Sequence, residues 1–140
     1  MTFGEKVRKL RKQKKLSQTR LGEQVGVSMR TVRGWEQEGR CPKKHELYRQ
    51  LAEALDCPLA FLMDDGAEFI TRAGEQYGSA GRRQAEALVS QLGGMFAGGE
   101  LSEEDKQAVF EALQEAYWDA KAANRKYAPV RYRQKPGTGE

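Results

Sequence analysis

"LSQTRLGEQVGVSMRTVRGWEQEG" spans residues 16–39 and decides how the chain folds. Ser17 is a good N-cap, and Leu21 and Val25 follow at helical spacing, so a helix is predicted over 18–24. Gly26 supplies the left-handed backbone that a sharp turn needs. Ser28 then caps a second helix over 29–37, and Gly39 ends it. Val32 and Trp35 share the inner face of that helix, where Leu21 and Val25 can meet them.

Working outward, Phe3, Val7 and Leu10 recur at helical spacing ahead of this stretch, with lysines on the other faces. They predict a helix ending near Lys15. Downstream, "GRCPK" reads as a loop. A fourth helix is predicted over 44–55, with Leu47, Tyr48, Leu51, Ala52 and Leu55 on one face. Pro58 opens a short fifth helix carrying Leu59, Phe61 and Leu62. Five short helices in 1–64 can bury one small core, and none shows the alternation of a strand. Residues 65–80 hold Gly66, Gly74 and Gly78 without a strong period, so they read as a linker. Two longer helices are predicted within 81–128, the first over 82–96. The second begins at "LSEEDK", with Ser102 as its cap, and Gly98 and Gly99 join the pair into a hairpin. Residues 129–140, with Pro129 and Pro136, read as a flexible tail. The expected fold is all-α.

Charge separates the two halves. Residues 1–44 hold 13 Lys/Arg against 4 Asp/Glu, while 67–140 hold 10 against 11. The positive excess lies where the two capped helices lie, and such a face attracts a polyanion. No apolar run reaches the roughly 20 residues of a membrane span. The N-terminal stretch has no apolar core of a secretory leader, so a cytoplasmic location and no membrane are expected. Cys41 and Cys57 stand apart, with one histidine in the chain, so no metal site and no cofactor are expected. His45 reads as an early residue of the fourth helix. An enzyme is not expected, because no nucleophile with a base and no glycine-rich phosphate loop is present. Nothing marks a small-molecule ligand pocket.

Two short helices around a glycine turn form a helix-turn-helix unit, whose second helix can enter the DNA major groove. "LSQTRLGEQVGVSMRTVRGWEQEGRCP" resembles the lambda-repressor/Cro-like helix-turn-helix family, also called the xenobiotic-response-element family. Leu16, Ser17, Gln18, Leu21, Gly26, Val27, Ser28, Val32, Trp35, Glu36 and Pro42 carry the resemblance, which covers about residues 3–63. Gly39 sits one place late. Gly22 stands where alanine is usual and is expected to weaken its helix slightly.

The resemblance implies a five-helix, lambda-repressor-like DNA-binding domain and assigns roles. Met29, Arg30, Thr31 and Arg33 would face bases, Arg30 most specifically, through guanine O6 and N7. Gly34 occupies a usual reading position but has no side chain to read with. Gln18, Ser28, Gln37, Arg40, Lys43 and Lys44 would contact phosphates. Arg11 and Glu36 would form a structural ion pair. Trp35 reads as core rather than as a base-stacking residue. Such domains usually act as two-fold dimers on half-sites roughly 34 Å apart. The C-terminal hairpin is the candidate dimerisation region, through Leu88, Leu92, Phe96, Phe110, Leu113 and Tyr117. Its apolar stripe must pack on a second copy, on the N-terminal domain or on another protein. The leading expectation is a transcriptional regulator: a homodimeric repressor of a palindromic operator on double-stranded DNA. The alternative is an antitoxin or adaptor that autoregulates its operon and holds a protein partner through the C-terminal helices.

Overall fold

The structure is a computed structural model and describes residues 1–127. Their regular structure is entirely helical. The tail expected over 129–140 lies outside the described residues. The chain divides into two compact units, one over Met1–Arg82 and one taking up the chain from Arg83.

In the first unit, α1 (Phe3–Gln13), α2 (Gln18–Val25), α3 (Met29–Gln37), α4 (His45–Ala54) and α5 (Leu59–Leu62) follow in the expected order. Local signals explain where α1, α2 and α3 begin. Thr2 and Glu5 cap α1 reciprocally: the Glu5 N–H donates to Thr2 Oγ1, and the Thr2 N–H donates to Glu5 Oε1. Ser17 accepts from the Arg20 N–H ahead of α2, and Ser28 accepts from the Thr31 N–H ahead of α3. Gly26 closes α2 with φ 78, in the left-handed region.

These caps turn one apolar stripe of each helix inward. Val7, Leu21, Val25, Val32, Trp35, Tyr48, Leu51, Leu55 and Leu62 form one buried cluster. Each large side chain in it contributes about 1.5–3 kcal/mol of burial. The ring of Phe3 meets Trp35 and Tyr48 edge-on, with centroids 6.1 and 5.4 Å away. Burial also pushes the Tyr48 phenol well above its ordinary range.

Gly22 has a packing role beside its expected effect on the helix. It is buried, and a Cβ placed there would lie 2.6 Å from the Val27 carbonyl oxygen. The glycine lets α2 approach the turn that leads into α3.

The expected linker over 65–80 is corrected: it is helical. Helix α6 (Asp65–Phe96) starts at Asp64, whose Oδ1 accepts from the Ala67 N–H at 2.8 Å. Phe69, Thr71 and Ala73 are buried. Glycine does interrupt the helix, but only at Gly78, whose φ of 71 and ψ of −162 are not helical. Residues 65–82 therefore belong to the first unit. Glu75 ties them to α4, which has no side-chain cap at Lys44. The His45 N–H donates to Glu75 Oε2 at 3.0 Å, and His45 Nδ1 lies 3.3 Å from Glu75 Oε1. A carboxylate at that N-terminus does the work of a cap.

In the second unit, the end of α6 and α7 (Glu103–Tyr127) run antiparallel. Lys106 sits over the Phe96 ring near the turn, while Tyr117 Oη and Lys121 Nζ donate to Gln84 Oε1 at the other end. Ser102 caps α7 by accepting from the Asp105 N–H at 3.1 Å. Among the described residues, no helix is long and apolar enough to cross a membrane.

Candidate nucleic-acid interface

Helix α3 has two unlike sides. Val32 and Trp35 are buried in the core, whereas Met29, Arg30 and Gln37 are exposed and Arg33 is half-exposed. Met29 alone exposes 39% of a large apolar side chain. The N-terminal turn of α3 therefore presents an apolar contact and an arginine side by side. That is the end of a helix that a major groove can admit.

The inward side is held by charge as well as by packing. Arg11 Nε and Nη2 donate to Glu36 Oε2 and Oε1 at 2.7 and 2.9 Å, and Arg11 Nη1 donates to the Leu16 carbonyl at 2.8 Å. Only 11% of the Arg11 side chain and 1% of the Glu36 side chain are exposed. The hydrogen bonds that Arg11 donates to Glu36 raise the Arg11 pKa against the opposing cost of burial, so the guanidinium stays charged. This pair ties α1 to the end of α3 and fixes the pitch at which α3 is presented. Removing one partner would leave the other charge buried and unpaired.

Gln18 joins the same network. Its Nε2 donates to Glu36 Oε1 at 3.2 Å, which orients the side chain at the start of α2 and leaves its carbonyl oxygen outside that bond. Ser28 Oγ and Thr31 Oγ1 share a hydrogen bond of 3.0 Å, so both hydroxyls are committed first to the cap of α3. Lys43 and Lys44 are exposed just ahead of α4 and border an open cleft of about 460 Å³ with Glu75, Ser79 and Arg82. Among the helix-one lysines, Lys6 is engaged: its Nζ donates to the Phe61 carbonyl at 2.8 Å and sits over the Phe61 ring. Lys14 lies 3.7 Å from Asp56.

Arg40 is placed differently from a residue on a loose arm. Its stem lies against Gly34, where a Cβ would come within 3.2 Å of Arg40 Cδ. Gly34 is buried although it lies one turn after the exposed Arg30. Sequence reasoning missed this contact, and it also missed Glu75, which lay inside the expected linker.

The hairpin residues divide by burial. Leu92, Phe110 and Tyr117 are buried within the single chain, while Leu88, Phe96 and Leu113 are half-buried. Met95 is 64% exposed beside them in sequence.

Comparison with known proteins adds two findings. Residues 7–62 match a family model described as Helix-turn-helix. The chain is also 24% identical over 140 residues to the "Immunity repressor protein" of Bacillus phage phi105, across 95% of this chain and 96% of that protein. No solved structure gives a significant match. The capped helices, the glycine turn and the exposed N-terminal end of α3 agree with the family match: residues 7–62 have the build of a helix-turn-helix unit.

Proposed function

We propose that this chain is a sequence-specific repressor that binds a two-fold symmetric operator as a homodimer. The observation that carries the reading is the division of α3. Its inner side is fixed by Val32, Trp35 and the Arg11–Glu36 pair, and its outer side offers Met29, Arg30 and Arg33. In this reading Arg30 makes the principal base contact, Met29 meets a thymine methyl, and Thr31 and Arg33 flank them. Gln18, Ser28, Gln37, Lys43 and Lys44 set the register by touching phosphates.

Similarity to a phage immunity repressor runs through both units, which favours a repressor over an antitoxin or adaptor. A repressor of this kind needs only to occupy its site. In this reading Leu92, Phe110 and Tyr117, buried within one chain, hold the hairpin together, and two copies pair through Leu88, Phe96 and Leu113. The half-buried Leu88, Phe96 and Leu113 supply the surface that is still open.

Footprinting on the DNA flanking the chain's own gene tests the reading. Protection of two half-sites on one face of the duplex, about one helical turn apart, is expected. Affinity should fall steeply with salt, as phosphate contacts release counterions. Uniform protection with no half-sites, or affinity indifferent to salt, would contradict it.

A further inference from the structure

Gly34 lies four residues after Arg30, so the two occupy one strip of the α3 surface. A glycine there should leave a bare notch between neighbouring side chains. The notch is filled from outside the helix. Measured from the position a Cβ would take on Gly34, Arg40 Cδ lies at 3.2 Å and Arg40 Cγ and Nε at 3.9 Å. The guanidinium of Arg40 thus leaves the α3 surface where the side chain of residue 34 would have left it.

The loop that delivers Arg40 is fixed at both ends. Gly39 turns the chain with φ 70, and the Arg40 N–H then donates to the Gly34 carbonyl at 3.2 Å. Two residues on, Pro42 is fully buried. Stem, backbone and loop are therefore set before any ligand arrives, which lowers the cost of ordering the arginine on binding. Arg40 pairs with Glu38 at 3.4 Å, with both side chains at least half exposed. An exposed pair of that kind is weak and gives way to a better acceptor. An arginine that only neutralises a phosphate has no need of a notch in the recognition helix.

We propose that Arg40 is a base-reading residue, lent to the recognition helix through the Gly34 notch, and that it pairs with guanine O6 and N7 beside the base read by Arg30. This rests on the DNA-binding reading above and proposes a base contact where a phosphate contact was first expected for Arg40. The missing side chain at residue 34 is replaced from the loop.

Selection from a pool of randomised duplex DNA, run with the full chain and its variants, tests the proposal. The unaltered chain should enrich two guanine positions in each half-site. Arg40→Ala should lose the preference at one of them, by roughly 5- to 150-fold, and keep it at the other. Gly34→Gln should push the Arg40 stem out of the notch and exchange guanine for adenine at that same position, because glutamine pairs with adenine N6 and N7. Helicity of each variant, measured by circular dichroism, should match the parent. If Arg40→Ala weakens binding equally on all sequences and leaves every preference intact, Arg40 is a phosphate contact and the proposal is overturned. If Gly34→Gln leaves the same base preferred, the notch is not the path by which Arg40 reads, and the proposal is again overturned. No enrichment by the unaltered chain would instead contradict the DNA reading on which it rests.

Discussion

Glu36 shows how one side chain decides what a helix can do. It lies at the end of α3, where an acid facing DNA would be repelled. Instead it is almost wholly buried and takes two hydrogen bonds from Arg11 and one from Gln18. Glu36→Ala should destabilise the fold by about 3–5 kcal/mol, because Arg11 would remain buried and charged without its partner. Replacing both residues by apolar ones of similar size should recover much of that loss, and urea unfolding of the two variants checks it. Gly22 gives a second residue-scale test. Alanine normally stabilises a helix relative to glycine by roughly 0.5–1 kcal/mol. Here a Cβ would press on the Val27 carbonyl. Gly22→Ala should therefore lower the stability by about 1–3 kcal/mol, the usual cost of overpacking. A rise in the urea midpoint would show that the α2–α3 turn gives way easily.

At the scale of elements, α1 to α5 could be read from the chain because their signals are local. Ser17, Ser28, Gly26 and Gly39 mark the ends within a few residues of what they cap, and the apolar period names the inner faces. Helix α6 could not be read that way. Gly66, Gly74 and Gly78 look like a flexible stretch, and the cap at Asp64 was hidden in "MDDGAE". What makes 65–77 helical is tertiary: Phe69 and Ala73 are buried, and Glu75 caps a helix far away in sequence. The Arg40–Gly34 contact was hidden for the same reason, since only the closed loop brings those residues together. Phe69→Ala should cost about 3–5 kcal/mol, as for other large buried aromatics. Thermal unfolding of the full chain, followed by a probe near α4, measures it. An unchanged transition would mean that this part of α6 is not needed by the first unit.

At the scale of the whole molecule, the two units carry different parts of the proposed function. The first holds the positive excess and the helix-turn-helix domain. The second offers a hairpin with exposed Met95 and half-buried Leu88, Phe96 and Leu113. The compact first unit ends at Arg82, so a truncation that keeps Phe69 and Glu75 should stop there and not at the boundary after residue 64. Residues 1–82 should stay folded, sediment as a monomer and bind the operator far more weakly than the full chain. A truncated form that remains dimeric would move the interface into the first unit. The salt dependence belongs to this scale too. With Arg40 proposed to read a base, Lys43 and Lys44 would be the charged phosphate contacts of each copy in the proposed dimer. A dimer with four such contacts should show log K falling against log salt with a slope of about −4.

The exposed end of α3 is proposed to read bases, chiefly through Arg30. The direct measurement is selection from randomised duplex DNA by the full chain, repeated with Arg30→Ala. The unaltered chain should enrich a two-fold symmetric site. The variant should lose its preference at one base pair of each half-site and about 1–3 kcal/mol of specific binding. Identical sequence preferences in the two selections would contradict the assignment of α3 as the reading helix.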